Sequence, residues 1–353
     1  MVKLFAPFIP KGTLPAIKQV LDSGTLTQGQ LVQQFEEGFC RDFNVKYAVS
    51  LNSGTSALEI AYELLGLKKG DEVITTPLTC VATNLPLLRM GAKIVWADIL
   101  EDTLCIDPKS VKEKLTSRTK AIVQVHLGGV KADVGESHLP VVSDACQALG
   151  VFTGDYTCCS FQAIKHITTA DGGMLIVNDE AEYREAKLMR WYGIDRDKPI
   201  DNSWASYKTR MMSFDVELPG SKRHMNDLSA AMGLQGLRYY GIVLRHRQKL
   251  FEIYKSRLKD IPGIKVIDGE QNVCWLMTLL VEKRDDFARM LFINDIETNI
   301  VQVRNDIYPV FGGRRANLPV MDSVEDRYIS LPIGMHVSPE GVEFICDCID
   351  RGW

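Results

Sequence analysis

Residues 139–178 read LPVVSDACQALGVFTGDYTCCSFQAIKHITTADGGMLIVN, and the fold turns on this stretch. It holds three apolar runs: LPVVSDA (139–145), CCSFQAI (158–164) and GGMLIVN (172–178). LPVVSDA and GGMLIVN do not alternate apolar with polar residues, and all three are predominantly apolar, which suits strands buried on both faces. Upstream, similar runs recur at EVITTP (72–77), KIVWADI (93–99) and KAIVQVHL (120–127). Between them VATNLPLLRMG and SVKEKL read as helices. Residues 14–22, 31–43 and SALEIAYELLGL (56–67) also space their apolar positions as a helix does. Buried strands alternating with helices predict an α/β domain with a mostly parallel mixed sheet between helix layers.

After about residue 179 the character changes. AEYREAKLMRWYG is helical, and residues 195–220 are polar and irregular, predicting a long loop. A long helix is expected from Asn226 to about Leu258, followed by strands at CWLMTLLVE and NIVQVR. Helices are expected at RDDFARMLFI and PEGVEFICDCI. The chain therefore divides into a large domain, residues 1–240, and a smaller C-terminal α+β domain, residues 241–353.

The 353 residues are 46% hydrophobic and 24% charged, the balance of a soluble globular protein. A net charge of −4 and a pI near 5.9 make no electrostatic case for nucleic-acid or membrane binding. MVKLFAPFIPKG is too short and too interrupted for a signal peptide. No apolar run approaches the roughly 20 residues of a membrane helix. Nine scattered cysteines without a C-x-x-C pair predict free thiols in a reducing compartment and no metal site. The expected location is the cytoplasm.

Four segments carry chemistry. Ser53-Gly54-Thr55-Ser56 opens a helix, where free N–H groups and the positive dipole end seat phosphate. Asp144 ends a buried strand, at the edge where open α/β sheets bind ligands. Lys165 follows the next strand and precedes small turn-forming residues. Gly220-Ser221-Lys222-Arg223-His224-Met225 is a basic loop entering the long helix. Each has an ordinary reading alone: a helix cap, a turn cap, a solvated lysine, a solvated turn. Together they match the needs of pyridoxal phosphate, which wants phosphate donors, a carboxylate for its ring nitrogen and an amine for its aldehyde.

The sequence also resembles the DegT/DnrJ/EryC1/StrS sugar aminotransferase family over nearly its whole length. The resemblance is carried by LDSGTLTQGQLVQQFEEGFCRDF, YAVSLNSGTSALEIAYELLGLKKGDEVITTP, SDACQALG, SFQAIKHITTADGGMLIVND, GSKRHMNDLSAAMGLQGL and ISLPIGMHVSPEGVEFI. It implies a fold-type I aminotransferase using pyridoxal 5′-phosphate, with pyridoxamine 5′-phosphate as the intermediate form. Lys165 would hold the cofactor as a Schiff base. Asp144 would pair with the ring nitrogen, and Gln147 would lie beside the ring. Gly54, Thr55 and Ser160 would hold the phosphate. The loop from Gly220 to Met225 would cross a homodimer interface to the partner's cofactor, with Lys222 and His224 as competing phosphate ligands. Thr25, Gln28, Arg304 and Tyr308 are the expected sugar contacts.

Three features depart from the family pattern. Cys80 stands where an aromatic residue usually covers the ring. The stretch from His126 to Asp144 is too short for the usual intervening helix. Ala170-Asp171-Gly172-Gly173 replaces the common Gly-Glu-Gly-Gly. The implied reaction is amino transfer from L-glutamate to a nucleotide-linked keto-sugar, a 4-keto-6-deoxy sugar being the expected acceptor. A sugar dehydratase of the same fold would carry histidine in place of the cofactor lysine, and His166 lies one residue on. A non-catalytic cofactor-binding regulator is the alternative outside enzymology.

Overall fold

The computed structural model describes residues 1–197, 215–314 and 317–353. Its centre is a seven-stranded sheet. The strands are β1 (Tyr47–Leu51), β2 (Glu72–Thr75), β3 (Lys93–Trp96), β4 (Thr119–Val125), β5 (Val141–Asp144), β6 (Tyr156–Ser160) and β7 (Gly173–Val177). They lie in the order β1-β7-β6-β5-β4-β2-β3. The neighbours from β6 through β3 pair in parallel, and β7 runs antiparallel to both β6 and β1. One reversed strand thus makes the sheet mixed. It also leaves β1, β5 and β6 pointing the same way, so their C-terminal ends open on one edge.

Helices cover the sheet as the alternation required. α1 (Thr13–Ser23) and α2 (Gln30–Phe43) precede it, and α3 (Gly54–Leu64) follows β1. α4 (Val81–Arg89) and α5 (Pro108–Lys114) fill the next two crossovers. β4 and β5 are joined through a 3-10 turn, Leu127–Gly129, with no α-helix among the described residues of that link. α6 (Glu180–Met189) leaves β7 and packs on β1.

α7 (Asp227–Leu258) is 32 residues long. Asn226 caps it, its side chain accepting from the Ser229 N–H at 2.8 Å. Ala230 and Leu237 join the core of Phe35, Phe39 and Phe161 under the large sheet. Leu250, Phe251, Tyr254 and Leu258 join a second core. The boundary expected at residues 240–241 thus falls inside one helix that serves both cores. The second core covers an antiparallel sheet of β8 (Ile264–Val266), β9 (Met277–Val281) and β10 (Tyr328–Leu331), ordered β10-β9-β8. α8 (Arg284–Ile293), α9 (Pro319–Val324) and α10 (Pro339–Asp350) complete this part.

One expected strand is absent. NIVQVR forms no ladder, because its two ends pair with different partners: Asn299 with Ser330 and Arg304 with Leu78, each as an isolated bridge. Of the loop expected over 195–220, residues 198–214 lie outside the described residues. All nine cysteines are free thiols. No helix among the described residues is long and apolar enough to cross a membrane.

Candidate active site

The shared direction of β1, β5 and β6 decides the site. The edge they open on receives the start of α3 after β1, Asp144 at the end of β5 and the turn to Lys165 after β6. A cavity of about 340 Å³ lies there, within the usual size of a small-ligand site. Gly54, Thr55, Cys80, Asp144, Gln147, Ser160 and Lys165 all line it. Seven residues singled out in the sequence are therefore brought together by one chain.

At one end, Ser53 caps α3 by accepting from the Ser56 N–H at 3.1 Å. The first N–H groups of the helix, at Gly54 and Thr55, have no intrahelical acceptor and face an anion by geometry alone. Gly54 is needed for close approach: a Cβ there would fall 2.7 Å from Cys146 Sγ and 3.0 Å from the Ser160 Cβ. At the other end, the Asp144 carboxylate is fixed by two donors. Oδ2 accepts from Thr83 Oγ1 at 2.6 Å and Oδ1 from the Cys146 N–H at 3.0 Å. Since the Thr83 hydrogen points to Asp144, Thr79 Oγ1 must donate to Thr83 Oγ1, 2.8 Å away. Gln147 is held through its side-chain carbonyl, which accepts from the Gly128 N–H at 2.8 Å.

Lys165 is the reactive group. Burial pushes its amine down to about 8, against the opposing pull of Cys146, Asp144 and Cys80, while Arg247 adds to the depression. Its Nζ lies 3.7 Å from the centre of the Trp275 ring. His166 turns elsewhere: its Nε2–H donates to the Val273 carbonyl at 2.8 Å, and burial pushes it down to about 3. Lysine, not histidine, is the side chain that enters the cavity. The donor set suits pyridoxal phosphate, with N–H and hydroxyl donors, a buried carboxylate and an amine whose proton is lost more easily than that of an ordinary lysine.

Other expected contacts lie outside this cavity. Lys222 is exposed, pairs through its backbone with Trp191, and keeps its Nζ 5.8 Å from that ring centre. His224 is buried and packs edge-to-face with Trp191, with Nε2 3.2 Å from Thr27 Oγ1 and Nδ1 without a partner among the described residues. Neither lines the Lys165 cavity of its own chain. Thr25 and Gln28 border separate hollows beside α1, α2 and α6. Tyr308 is 37% exposed between two 3-10 turns.

Arg304 is a correction. It is fully buried, and its guanidinium holds Asp306 at 2.6 Å, Asp322 at 2.5 Å and Glu325 at 3.1 Å. Those three carboxylates occupy its guanidinium inside the fold, and Arg304 does not line the Lys165 cavity. Conversely, Thr83, Cys146 and Trp275 were missed. Thr79 and Thr83 share a face at i, i+4 spacing, a signal legible in LTCVAT. Trp275 sits 110 positions from Lys165 and carries no local signal.

Comparison with known proteins agrees with this geometry. The pattern of the DegT/DnrJ/EryC1/StrS aminotransferase family matches residues 8–350. The spore coat polysaccharide biosynthesis protein SpsC of Bacillus subtilis (strain 168) is 33% identical, covering 97% of this chain and 95% of its own. The sugar aminotransferase CalS13 from Micromonospora echinospora superposes with a TM-score of 0.91 at 29% identity, covering 100% of both chains. The putative sugar aminotransferase Spr1654 from Streptococcus pneumoniae, in its PLP-form, superposes at 0.87 with 25% identity, covering 98% and 97%.

Proposed function

We infer, since this chain belongs to the DegT/DnrJ/EryC1/StrS aminotransferase family, how its site performs sugar amination and on what. The proposed reaction moves the amino group of L-glutamate to a nucleotide-linked keto-sugar, of the 4-keto-6-deoxy class. The observation that carries the reading is the Lys165 amine, buried in a cavity that also holds Asp144 and the start of α3.

Gly54, Thr55 and Ser160 would hold the phosphate of pyridoxal phosphate, Asp144 its ring nitrogen and Lys165 its aldehyde carbon. Bound there, the cofactor would supply an electrophilic carbonyl for amines and an electron-withdrawing ring. The chain's own residues do the rest. Asp144, fixed by Thr83 and Cys146, has its carboxylate held in one orientation at the cavity wall. Cys80, at the start of α4, forms wall where a flat ring would otherwise lie. Lys165 Nζ, neutral above about pH 8, takes the proton from the donor Cα and returns it during product formation. The placement of His166 on the Val273 carbonyl favours amino transfer over dehydration, because it leaves a lysine to move that proton.

Lys222 and His224 would complete the site of a second subunit, in a homodimer with shared active sites. Thr25, Gln28 and Tyr308 remain the proposed sugar contacts. The direct test adds L-glutamate to protein loaded with pyridoxal phosphate, with no sugar present. Conversion to pyridoxamine phosphate with release of 2-oxoglutarate is expected. A loaded protein that binds glutamate without conversion would remove the aminotransfer reading.

A further inference from the structure

The residues on either side of Lys165 are both tied to one short segment of the small domain. Trp275 Nε1–H donates to the Ile164 carbonyl at 3.1 Å, and His166 Nε2–H donates to the Val273 carbonyl at 2.8 Å. The segment is anchored in turn. Arg247 Nη1 donates to the carbonyls of Cys274 at 3.3 Å, Trp275 at 3.0 Å and Ile333 at 3.1 Å. The Val273 and Leu276 N–H groups donate to Gly129 and Gly128, each at 2.9 Å. Gly128 is the residue that holds Gln147. The indole itself is 1% exposed and stacks on Phe5 with centroids 5.8 Å apart.

We propose that Trp275 is a positioning residue for Lys165, holding the amine over its indole face and fixing the chain before it through the Ile164 carbonyl. The inference rests on the reading of Lys165 as the cofactor's amine. A long lysine side chain has four rotatable bonds, and capture of an aldehyde needs one direction of approach. The ring supplies a second attachment beyond the backbone, because a cation over an indole is attracted to its negative face. The arrangement also routes the position of β9 and the small domain to the amine. Groups acting on the amine are Asp144 at the end of β5, Cys146 just after it, Cys80 at the start of α4 and Arg247 from α7. Trp275 adds a contact that favours the charged form without adding a charge.

The test uses cofactor-free full-length protein and pyridoxal phosphate. The rate of cofactor capture is followed against pH, then the product is fixed with borohydride and the modified lysine located by peptide mapping. Trp275→Leu removes both the ring face and the N–H. With the packing under the amine and the tie to the Ile164 carbonyl both gone, neither of which depends on the amine's charge, the limiting rate at high pH should fall about tenfold, equivalent to about 1.4 kcal/mol. The pH midpoint of capture should move down, since the charged form has lost its partner. Trp275→Phe keeps a ring face and drops the hydrogen bond, so it should keep the parent midpoint and lose about threefold in rate.

A purely structural role would lower the melting temperature of either variant without moving the midpoint. A folded Trp275→Leu protein with the parent's limiting rate and midpoint would overturn the proposal. If that variant does not fold, an unchanged limiting rate in Trp275→Phe does the same. Modification of a lysine other than Lys165 in the parent protein would overturn the underlying site reading, and the role of Trp275 with it.

Discussion

Burial sets the charge of Lys165, and that has a measurable price in stability. Its folded pKa of about 8 lies below the ordinary lysine value of 10.5. Between those two values the unfolded chain binds more protons, so the cofactor-free protein gains stability as pH rises through the window. Below about 8 both states are charged and the full cost applies. Lys165→Met should therefore melt higher than the parent at pH 7, and this advantage should shrink towards pH 10.5. Melts of both cofactor-free proteins at the two ends of the window check it, and an advantage that grew with pH would contradict the burial argument. Asp144 is tested through turnover. An amide keeps the shape held by Thr83 and Cys146 but brings no negative charge. Asp144→Asn should retain cofactor while kcat falls roughly a hundredfold, or about 2.7 kcal/mol of barrier. Unchanged kcat would place the carboxylate outside the chemistry.

Elements meet in this site at very short range. β7 passes so close to the start of α3 that a Cβ on Gly173 would lie 2.3 Å from the Ser53 carbonyl oxygen and 2.6 Å from Gly54 N. Both are backbone atoms and cannot turn aside. Gly173→Ala must shift the phosphate end of the helix, at about 1–3 kcal/mol of overpacking. Cofactor affinity should fall, as read by titration with pyridoxal phosphate. Gly341→Ala is the control: its Cβ would meet Val337 Cγ1 at 3.5 Å, an ordinary contact, and affinity should not change. The same closeness accounts for the last glycine of the tetrad after Lys165, whose first two residues depart from the family pattern, while the third position is crowded within its own turn. A Cβ on Gly172 would lie 2.2 Å from Thr169 Oγ1.

For the molecule as a whole, the proposed homodimer makes a sharper prediction than any single variant. Lys222 and His224 do not line their own chain's cavity, so a complete site would take its lysine from one subunit and its loop from the other. Lys165→Ala and a Lys222→Ala/His224→Ala double variant should each be inactive alone. Mixed under conditions of verified subunit exchange, they should form hybrid dimers with one working site, up to about a quarter of parent activity for random pairing of equal amounts. Exchange without recovery would show that the loop acts on its own chain.

Much of this was legible in the chain itself, because period and composition report burial directly. Short apolar runs bounded by turn residues suit strands covered on both faces, and their recurrence between helices pointed to the layered sheet around 139–178. The short link after His126 could only leave its helix out, as the 3-10 turn at Leu127–Gly129 bears out. Gly54, Asp144 and Lys165 stood out because they sit at the start of a helix, the end of a strand and the turn after a strand, where a local pattern marks a cleft. Tertiary structure decided what no local pattern carries. NIVQVR reads as a strand but splits its pairing between two distant partners. Arg304 reads as a sugar contact, and only the fold shows that Asp322 and Glu325, from another turn of chain, lie against its guanidinium. Trp275 reads only as part of the expected strand CWLMTLLVE, yet it is buried under the amine of a residue 110 positions away. Sequence patterns record how each residue meets the average interior; which side chains meet one another is settled only when the elements pack.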